Sequence, residues 1–402
     1  MELVKTTLSE LCIGKGQYGI GASAVDYSED KYTYLRITDI KDDGTLNNDD
    51  LKSVDDPDAS KYILKPNDIV FARTGASTGR NYFYDGSDGE LVYAGFLIKF
   101  SIDPNKVNPR FIKYYCLSDI YKGWVIGHTN GSTRGNINAQ GFGELEIYLP
   151  SREQQDKLVS ILDDIEAKRK NNDQINRNLS EQLRIVFEDM FITNAEDSWP
   201  EKKVGDFLEL ERGLSYKGKF LAENEGTPML NLGNILPNSV FRPEKLKYYT
   251  GEYKPRHIVR PGDIIVANTD LTQAREVLGS AIRVPDLGYD NVICSHHISI
   301  VRNCKISNNF ILGLLNMPAY RTRVAGFATG TTVLALPNDT ILNCEFQCPT
   351  EELLAKYDEI AEPIYAQMEE IRRENEQLSL LRDSLLPKLM SGEIDLSEVD
   401  CE

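Results

Sequence analysis

YLRITDI, from Tyr34 to Ile40, returns 195 residues later as MLNLGNI, from Met229 to Ile235. LKPNDIVFARTG, from Leu64 to Gly75, returns at the same interval as VRPGDIIVANTD, from Val259 to Asp270. Self-similarity at a fixed interval decides architecture before any motif is weighed. Further along the interval widens to 199, where FIKYYCLSDIYKGWVIGHTNGST from Phe111 aligns with FILGLLNMPAYRTRVAGFATGTT from Phe310. The wider interval then carries Pro150 onto Pro349, each just before a long helical stretch. The chain therefore repeats one unit twice: a globular part, then a helix.

Within each globular part, short runs such as Tyr34–Ile40, Ile69–Ala72 and Leu97–Phe100 read as strands separated by Gly, Asn and Asp turns. Phe111–Tyr121 reads as one helix, and Asn108-Pro109-Arg110-Phe111 as its start. The expected divisions are residues 1–150, a helix over 151–192, a second globular part over 193–349, a second helix over 350–391 and a tail over 392–402. Ser151 and Gln154 form a capping box at the first helix, and Thr350, Glu351 and Glu352 suit the first turn of the second.

In the second helix Leu354, Tyr357, Ala361, Ile364, Met368, Ile371, Asn375 and Leu378 recur at steps of three and four, the seam of a coiled coil. At the 199 interval this seam lands on Gln155, Leu158, Leu162, Ile165, Arg169, Asn172, Asn176 and Leu179. A stretch of some 40 residues spans on the order of 60 Å at about 1.5 Å per residue, longer than a domain core needs, so the helices read as partners. Pro363 should kink the second helix or mark a later start.

The 402 residues exceed one ordinary core, and 41% hydrophobic with 27% charged residues is the balance of a folded globular protein. MELVKTTLSE at the start lacks a signal-like apolar stretch and no run approaches a membrane span, so a cytoplasmic protein without a membrane partner is expected. Seven cysteines without framework spacing read as free thiols. A net charge of −17 argues against a simple nucleic-acid coat, but much of the acid sits between Asp39 and Asp58 and between Glu351 and Glu376.

Several chemistries lack their parts. There is no GxxxxGK[ST] loop for a nucleoside triphosphate, and no Asn/Asp-Pro-Pro-aromatic element of an amino-methyltransferase. Glu166-x-Lys168 lies on the predicted helix as ordinary solvated residues. His296-His297 with Cys344-x-x-x-Cys348 lacks zinc spacing, since adjacent histidines on a strand point to opposite faces. No catalytic residue and no metal site is expected.

LSLLRDSLLPKLMSGEIDL from Leu378, the entry string from Pro150 to Gln155, GDIIVANTD from Gly262, NDIVFARTG from Asn67 and GSTRGNIN from Gly131 resemble elements of the DNA-specificity subunits of type I restriction-modification enzymes. The resemblance covers essentially the whole chain. It departs at Val333-Leu334-Ala335-Leu336, where the first half has Arg134-Gly135-Asn136-Ile137. It implies an α+β protein of two tandem target-recognition domains, each followed by a long helix, the helices packing as an antiparallel coiled coil with pseudo-twofold symmetry. A split double-stranded DNA target is implied, its spacer set by the helices. Also implied are two modification subunits that use S-adenosylmethionine and motor-nuclease subunits that use ATP and magnesium, with no cofactor and no catalysis in this chain.

Reading DNA needs side chains that reach base edges, Arg favouring guanine and Asn or Gln adenine. In the first domain the glycine-rich loops offer Arg73, Thr74, Ser77, Thr78, Arg80, His128, Asn130, Ser132, Thr133 and Arg134. In the second they offer Asn268, Thr269, Gln273, Arg275, Thr329, Thr331 and Thr332. Arg73 meets Asn268 in the alignment, which would give the halves different targets. The competing reading is a coiled-coil scaffold that joins proteins and never touches DNA.

Overall fold

The repeated strings fold alike because they carry the same turn chemistry. The Asp68 N–H donates to the Lys65 carbonyl (2.9 Å), and its carboxylate accepts from the Lys65 N–H (2.8 Å). Asp263 makes both bonds to Arg260, each at 3.1 Å. Between them, Asn67 and Gly262 take φ of 74° and 92°, the left-handed position that a proline-led type II turn demands. YLRITDI and MLNLGNI each lead into a single 3-10 turn, Ile37–Asp39 or Leu232–Asn234. There the Asp39 or Asn234 side chain accepts the N–H of Arg36 (2.8 Å) or Asn231 (2.9 Å).

The computed structural model describes residues 3–47, 50–129, 135–236, 240–270, 275–330, 333–391 and 393–394. The chain divides into two compact units, residues 1–170 with the chain from Glu376 onward, and residues 171–375.

In the first unit one sheet runs in the order Gln17–Tyr18, Leu97–Ser101, Asp68–Ala72, Asn81–Tyr84, all antiparallel. Another runs Ala24–Asp26, Lys52–Val54, Tyr32–Leu35, Leu91–Tyr93, its last pair parallel. The second unit repeats both. Glu209–Arg212, Ile298–Arg302, Ile264–Ala267 and Ala281–Arg283 form the antiparallel sheet. In the other sheet Thr227–Leu230 pairs in parallel with Val292–Cys294.

The helices that follow are longer than either globular part requires. Arg152–Glu188 runs 37 residues and ends in a π-helical turn, Asp189–Thr193, and Glu351–Ser391 runs 41. The capping box is present, with Gln154 N–H on Ser151 Oγ (3.4 Å) and Ser151 N–H on Gln154 Oε1 (3.3 Å). Two sequence expectations are corrected. The Phe111–Tyr121 stretch is two helices, Pro109–Tyr115 and Asp119–Thr129. Buried Ser118 lies in the break, and its hydroxyl accepts the Tyr121 N–H (3.4 Å). Of the two outcomes expected of Pro363, a later start is overturned, since the second long helix begins at Glu351 and runs through it. Pro363 and Glu359, whose carbonyl loses its N–H partner, are both exposed, so water can replace that bond.

Each unit pairs a stretch of the first long helix with a stretch of the second, running in opposite directions. In the first unit Glu166 accepts from Arg382 (3.0 Å), and Leu158, Leu162, Leu386, Leu389 and Met390 share one core with Phe71, Phe100 and Phe142. In the second unit Asn172 donates to Asn375 (2.9 Å) and Glu374 (2.7 Å), while Asn176 reaches the Met368 carbonyl (3.4 Å). Its core joins Phe187, Phe191 and Phe310 to Leu354, Tyr357 and Ala361. Of the expected seam, Leu158, Leu162, Ile165, Tyr357 and Ile371 are buried, and Asn176, Leu179, Ile364, Met368, Asn375 and Leu378 are part-buried. Asn375 accepts from Asn172, one turn from its alignment equivalent Asn176, and donates to Asp173 (2.8 Å).

The cysteines at 12, 116, 294, 304, 344 and 348 are free thiols. Among the described residues, no helix is long and apolar enough to cross a membrane.

Candidate nucleic-acid interface

In the first unit three chain segments meet at one end of the antiparallel sheet. The strand Asp68–Ala72 leads into Arg73, whose N–H donates to the Phe96 carbonyl (3.0 Å) and whose carbonyl accepts the Ile137 N–H (3.0 Å). Arg73 thus joins the turn Ala94-Gly95-Phe96 to the segment 135–137. The approach is close enough to exclude side chains. A Cβ on Gly19 would lie 2.3 Å from the Ala94 carbonyl oxygen, and one on Gly79 would strike Val125 at 2.5 Å.

The second unit builds the same frame. Asn268 N–H donates to the His297 carbonyl (3.0 Å), and its carbonyl accepts the Leu336 N–H (2.8 Å). A Cβ on Gly213 would lie 2.3 Å from the Ser295 carbonyl oxygen, and one on Gly279 would strike Val324 at 2.9 Å. Asn136 and Ala335 occupy matching positions, opposite Thr74 and Thr269. The departure seen in the sequence near Val333 is therefore one of side chains; the backbone pairing at 136–137 and 335–336 is kept. The units differ in length beside this frame: Ala267 to Ser280 is five residues longer than Ala72 to Arg80, although both pairs close the same N–H to carbonyl bond.

On this common frame the side chains differ. The Arg73 guanidinium lies over the Tyr18 ring (5.0 Å to its centroid), its Nε 3.5 Å from Asn136 Oδ1, and stays part-exposed. Thr74 is part-exposed; Thr78 donates to the Gly75 (2.8 Å) and Gly135 (3.0 Å) carbonyls, and Ser77 is buried. Arg80 is committed to Asp42 (2.7 Å) and the Ile40 carbonyl (3.3 Å). His128 is exposed, its ring 4.1 Å from that of Trp124.

In the second unit Asn268 is fully buried, donating to Ser299 Oγ (3.0 Å) and the His296 carbonyl (3.3 Å). That corrects its expected role: it has no face for a base edge and instead supports the turn beside it. Thr269 is buried, its hydroxyl 2.9 Å from His297 Nδ1. Arg275 is exposed at φ 58° and donates to the Ala325 carbonyl (3.0 Å); Thr329 is exposed, its backbone paired with Ala335. Arg275, Arg321 and Thr322 line an open hollow of about 510 Å³, whose guanidinium groups suit a phosphate. Asn130, Ser132, Thr133, Arg134, Gln273, Thr331 and Thr332, also expected at the interface, lie outside the described residues.

Sequence reasoning missed Tyr18, Phe96 and Phe327, which are exposed by 43%, 60% and 60% and border these loops. It also misplaced the histidines. His296 and His297 are not on a strand with opposed faces; they form the turn between Val292–Cys294 and Ile298–Arg302, and their rings lie 3.9 Å apart, with Tyr216 beside His296 at 5.7 Å. Burial lowers both imidazole pKa values, and Arg212 opposes a proton on either ring; for His297, His296 is the larger opposing charge. Among the described residues no group of three or more His, Cys, Asp or Glu is placed to hold a metal. The arrangement offers hydrogen-bonding, aromatic and basic groups on rigid turns, which is the equipment of recognition.

The family described as the type I restriction modification DNA specificity domain matches residues 2–181. The chain is 21% identical over 372 residues to the type I restriction enzyme MjaVIII specificity subunit of Methanocaldococcus jannaschii, covering 85% of this chain and 82% of that one. It is 21% identical over 459 residues to the HindI specificity subunit of Haemophilus influenzae, covering 94% and 99%. In fold it is similar to the crystal structure of a type I restriction-modification S subunit from M. genitalium, with a TM-score of 0.52 at 15% identity over 97% of this chain and 96% of that one.

Proposed function

From the match of residues 2–181 to the type I restriction modification DNA specificity domain and the likeness of nearly the whole chain to specificity subunits, we propose that the chain is a type I restriction-modification specificity subunit and that it selects a bipartite double-stranded DNA target, each unit reading one half. The observation that carries this reading is the pair of identical hydrogen-bonded frames, Arg73 between Phe96 and Ile137 and Asn268 between His297 and Leu336, with different side chains on each. Two copies of one scaffold with unlike contact groups suit two unlike half-sites.

In this reading the long helices fix the spacer between the half-sites. Two modification subunits bind the chain, supply S-adenosylmethionine and methylate adenine, and motor-nuclease subunits add ATP- and magnesium-dependent cleavage; the chain itself is non-catalytic. The assembly works in the cytoplasm, where the chromosome lies. The net charge of −17 is accommodated if the modification subunits supply much of the phosphate contact, so that the isolated chain binds DNA weakly and the complex binds it tightly.

Co-expression with a type I adenine methyltransferase subunit from the same genome, followed by genome-wide mapping of methylated adenines, tests the reading. A split motif, with one half altered when one unit is exchanged, is the expected result. Failure to form a complex, or methylation without a split motif, would favour the scaffold.

A further inference from the structure

One turn in each unit carries the sharpest chemical difference on an unchanged backbone. Ala94-Gly95-Phe96 and Ser295-His296-His297 are closed by the same three bonds. Leu97 N–H reaches the Ala94 carbonyl (2.8 Å), as Ile298 N–H reaches that of Ser295 (3.0 Å). Ile20 N–H reaches the Tyr93 carbonyl (3.1 Å), as Leu214 N–H reaches that of Cys294 (2.7 Å). The third bond is that of Arg73 or Asn268 to the carbonyl of residue 96 or 297. With both flanks tied down, the side chains at 96 and 297 are held at the loop cluster rather than left to wander.

Phe96 is 60% exposed, although it is a large apolar group on a rigid turn. It stands beside Arg73, whose backbone it accepts. A phenyl ring offers no hydrogen bond, and the apolar feature that the major groove presents is the C5 methyl group of thymine. His297 at the equivalent place is half-buried, its Nδ1 engaged by Thr269 and its backbone supported by Asn268, which leaves Nε2 as its other hydrogen-bonding atom. Burial and the neighbouring His296 favour the neutral ring, so Nε2 offers one hydrogen bond without a charge.

We propose that residues 96 and 297 are the specificity-determining pair of the two units: Phe96 reads a thymine through its methyl group, and His297 reads a base edge through Nε2. This rests on the DNA-reading role proposed above. Arg73, adjacent to Phe96, reads a neighbouring guanine in the same half-site.

The complex with the methyltransferase partner provides the test. In the first half-site, deoxyuridine in place of each thymidine in turn should weaken binding at one position, on the order of tenfold. Phe96→Ala should bind the thymine and uracil duplexes equally. In methylation maps Phe96→His should change one half of the motif and His297→Phe the other, while His297→Gln, which keeps a hydrogen-bonding group, should hold its half more closely than His297→Phe. Phe96 is exposed and its variants leave the core untouched, so the first half of the test does not depend on how well His297 tolerates change. A split motif from the unaltered complex that none of these variants shifts, with uracil tolerated throughout the first half-site, would overturn this inference alone. No split motif from the unaltered complex would overturn the function on which it rests.

Discussion

Arg73 and Asn268 hold one backbone position in two units, and each ties the same two neighbouring segments together through its N–H and carbonyl. Beyond the backbone they part. Arg73 lies partly in solvent over Tyr18, while Asn268 is sealed beneath the His296-His297 turn and spends its amide on Ser299 and the His296 carbonyl. In the second unit the part-exposed groups at this place are then the histidines themselves. Duplication has preserved the hydrogen-bonded frame, and in the function proposed above the contact chemistry has moved from the residue after the strand to the turn beside it. Equivalence in an alignment transfers the position of a residue and leaves its role open.

The largest effect is expected at the helix seam, where fully buried Leu162 has Ala361, also fully buried, as its counterpart. Leu162→Ala removes core volume from the first unit and should cost about 4 kcal/mol, read by urea unfolding. Next come the close-approach glycines. Gly19→Ala and Gly213→Ala each press a methyl group to 2.3 Å from a backbone oxygen that cannot swing aside, and each should cost about 3 kcal/mol. A loss in only one of them would show that the two frames are not equivalent.

The paired positions themselves should give opposite phenotypes. Asn268→Ala removes the bonds to Ser299 Oγ and the His296 carbonyl from a fully buried site and should destabilise by about 2 kcal/mol. Arg73→Ala should change stability by less than about 0.5 kcal/mol, while weakening DNA binding by the complex on the order of tenfold. Similar unfolding midpoints for these two variants would dissolve the distinction drawn above.

The smallest effect is a pH dependence confined to the second unit. Folding lowers the pKa of His296 and His297 from the ordinary value of 6.5, so the unfolded chain binds more protons. Stability should therefore fall as pH drops below about 6.5, towards the depressed folded values. In unfolding curves between about pH 7 and pH 5, the double variant His296→Gln/His297→Gln should lose less stability than the original protein. Parallel curves would place the proton uptake elsewhere.

Much of this architecture is legible in the sequence because turns and caps are local. The Lys65-Pro66-Asn67-Asp68 and Arg260-Pro261-Gly262-Asp263 turns, the Asn108 cap with Pro109 in the first turn, and the Ser151–Gln154 box need only a few neighbouring residues. The break at Ser118 is not legible, since no glycine or proline interrupts the run and the stop comes from how Ser118 is buried. The candidate site is half legible. Arg73 stands inside a repeat of fixed interval, but the turns bearing Phe96 and His297 are 201 residues apart, because the loop after Asn268 is five residues longer and the stretch from Ser280 to His297 is one residue longer than that from Arg80 to Phe96. Alternation along a presumed strand sent the two histidines to opposite faces, and only the ladder of Ile298–Arg302 shows that they precede the strand.

The sharing of helices between units has a consequence for how the protein is made. The second unit is one continuous stretch, residues 171–375, whereas the core of the first requires Leu386, Leu389 and Met390. During synthesis from the amino terminus, the globular part that leaves the ribosome first must wait with an uncovered apolar groove until residues 386–390 have emerged. The later domain can close before it. The order of translation and the order of completion are inverted, and the half that waits is the one most exposed to proteases and chaperones in the nascent chain.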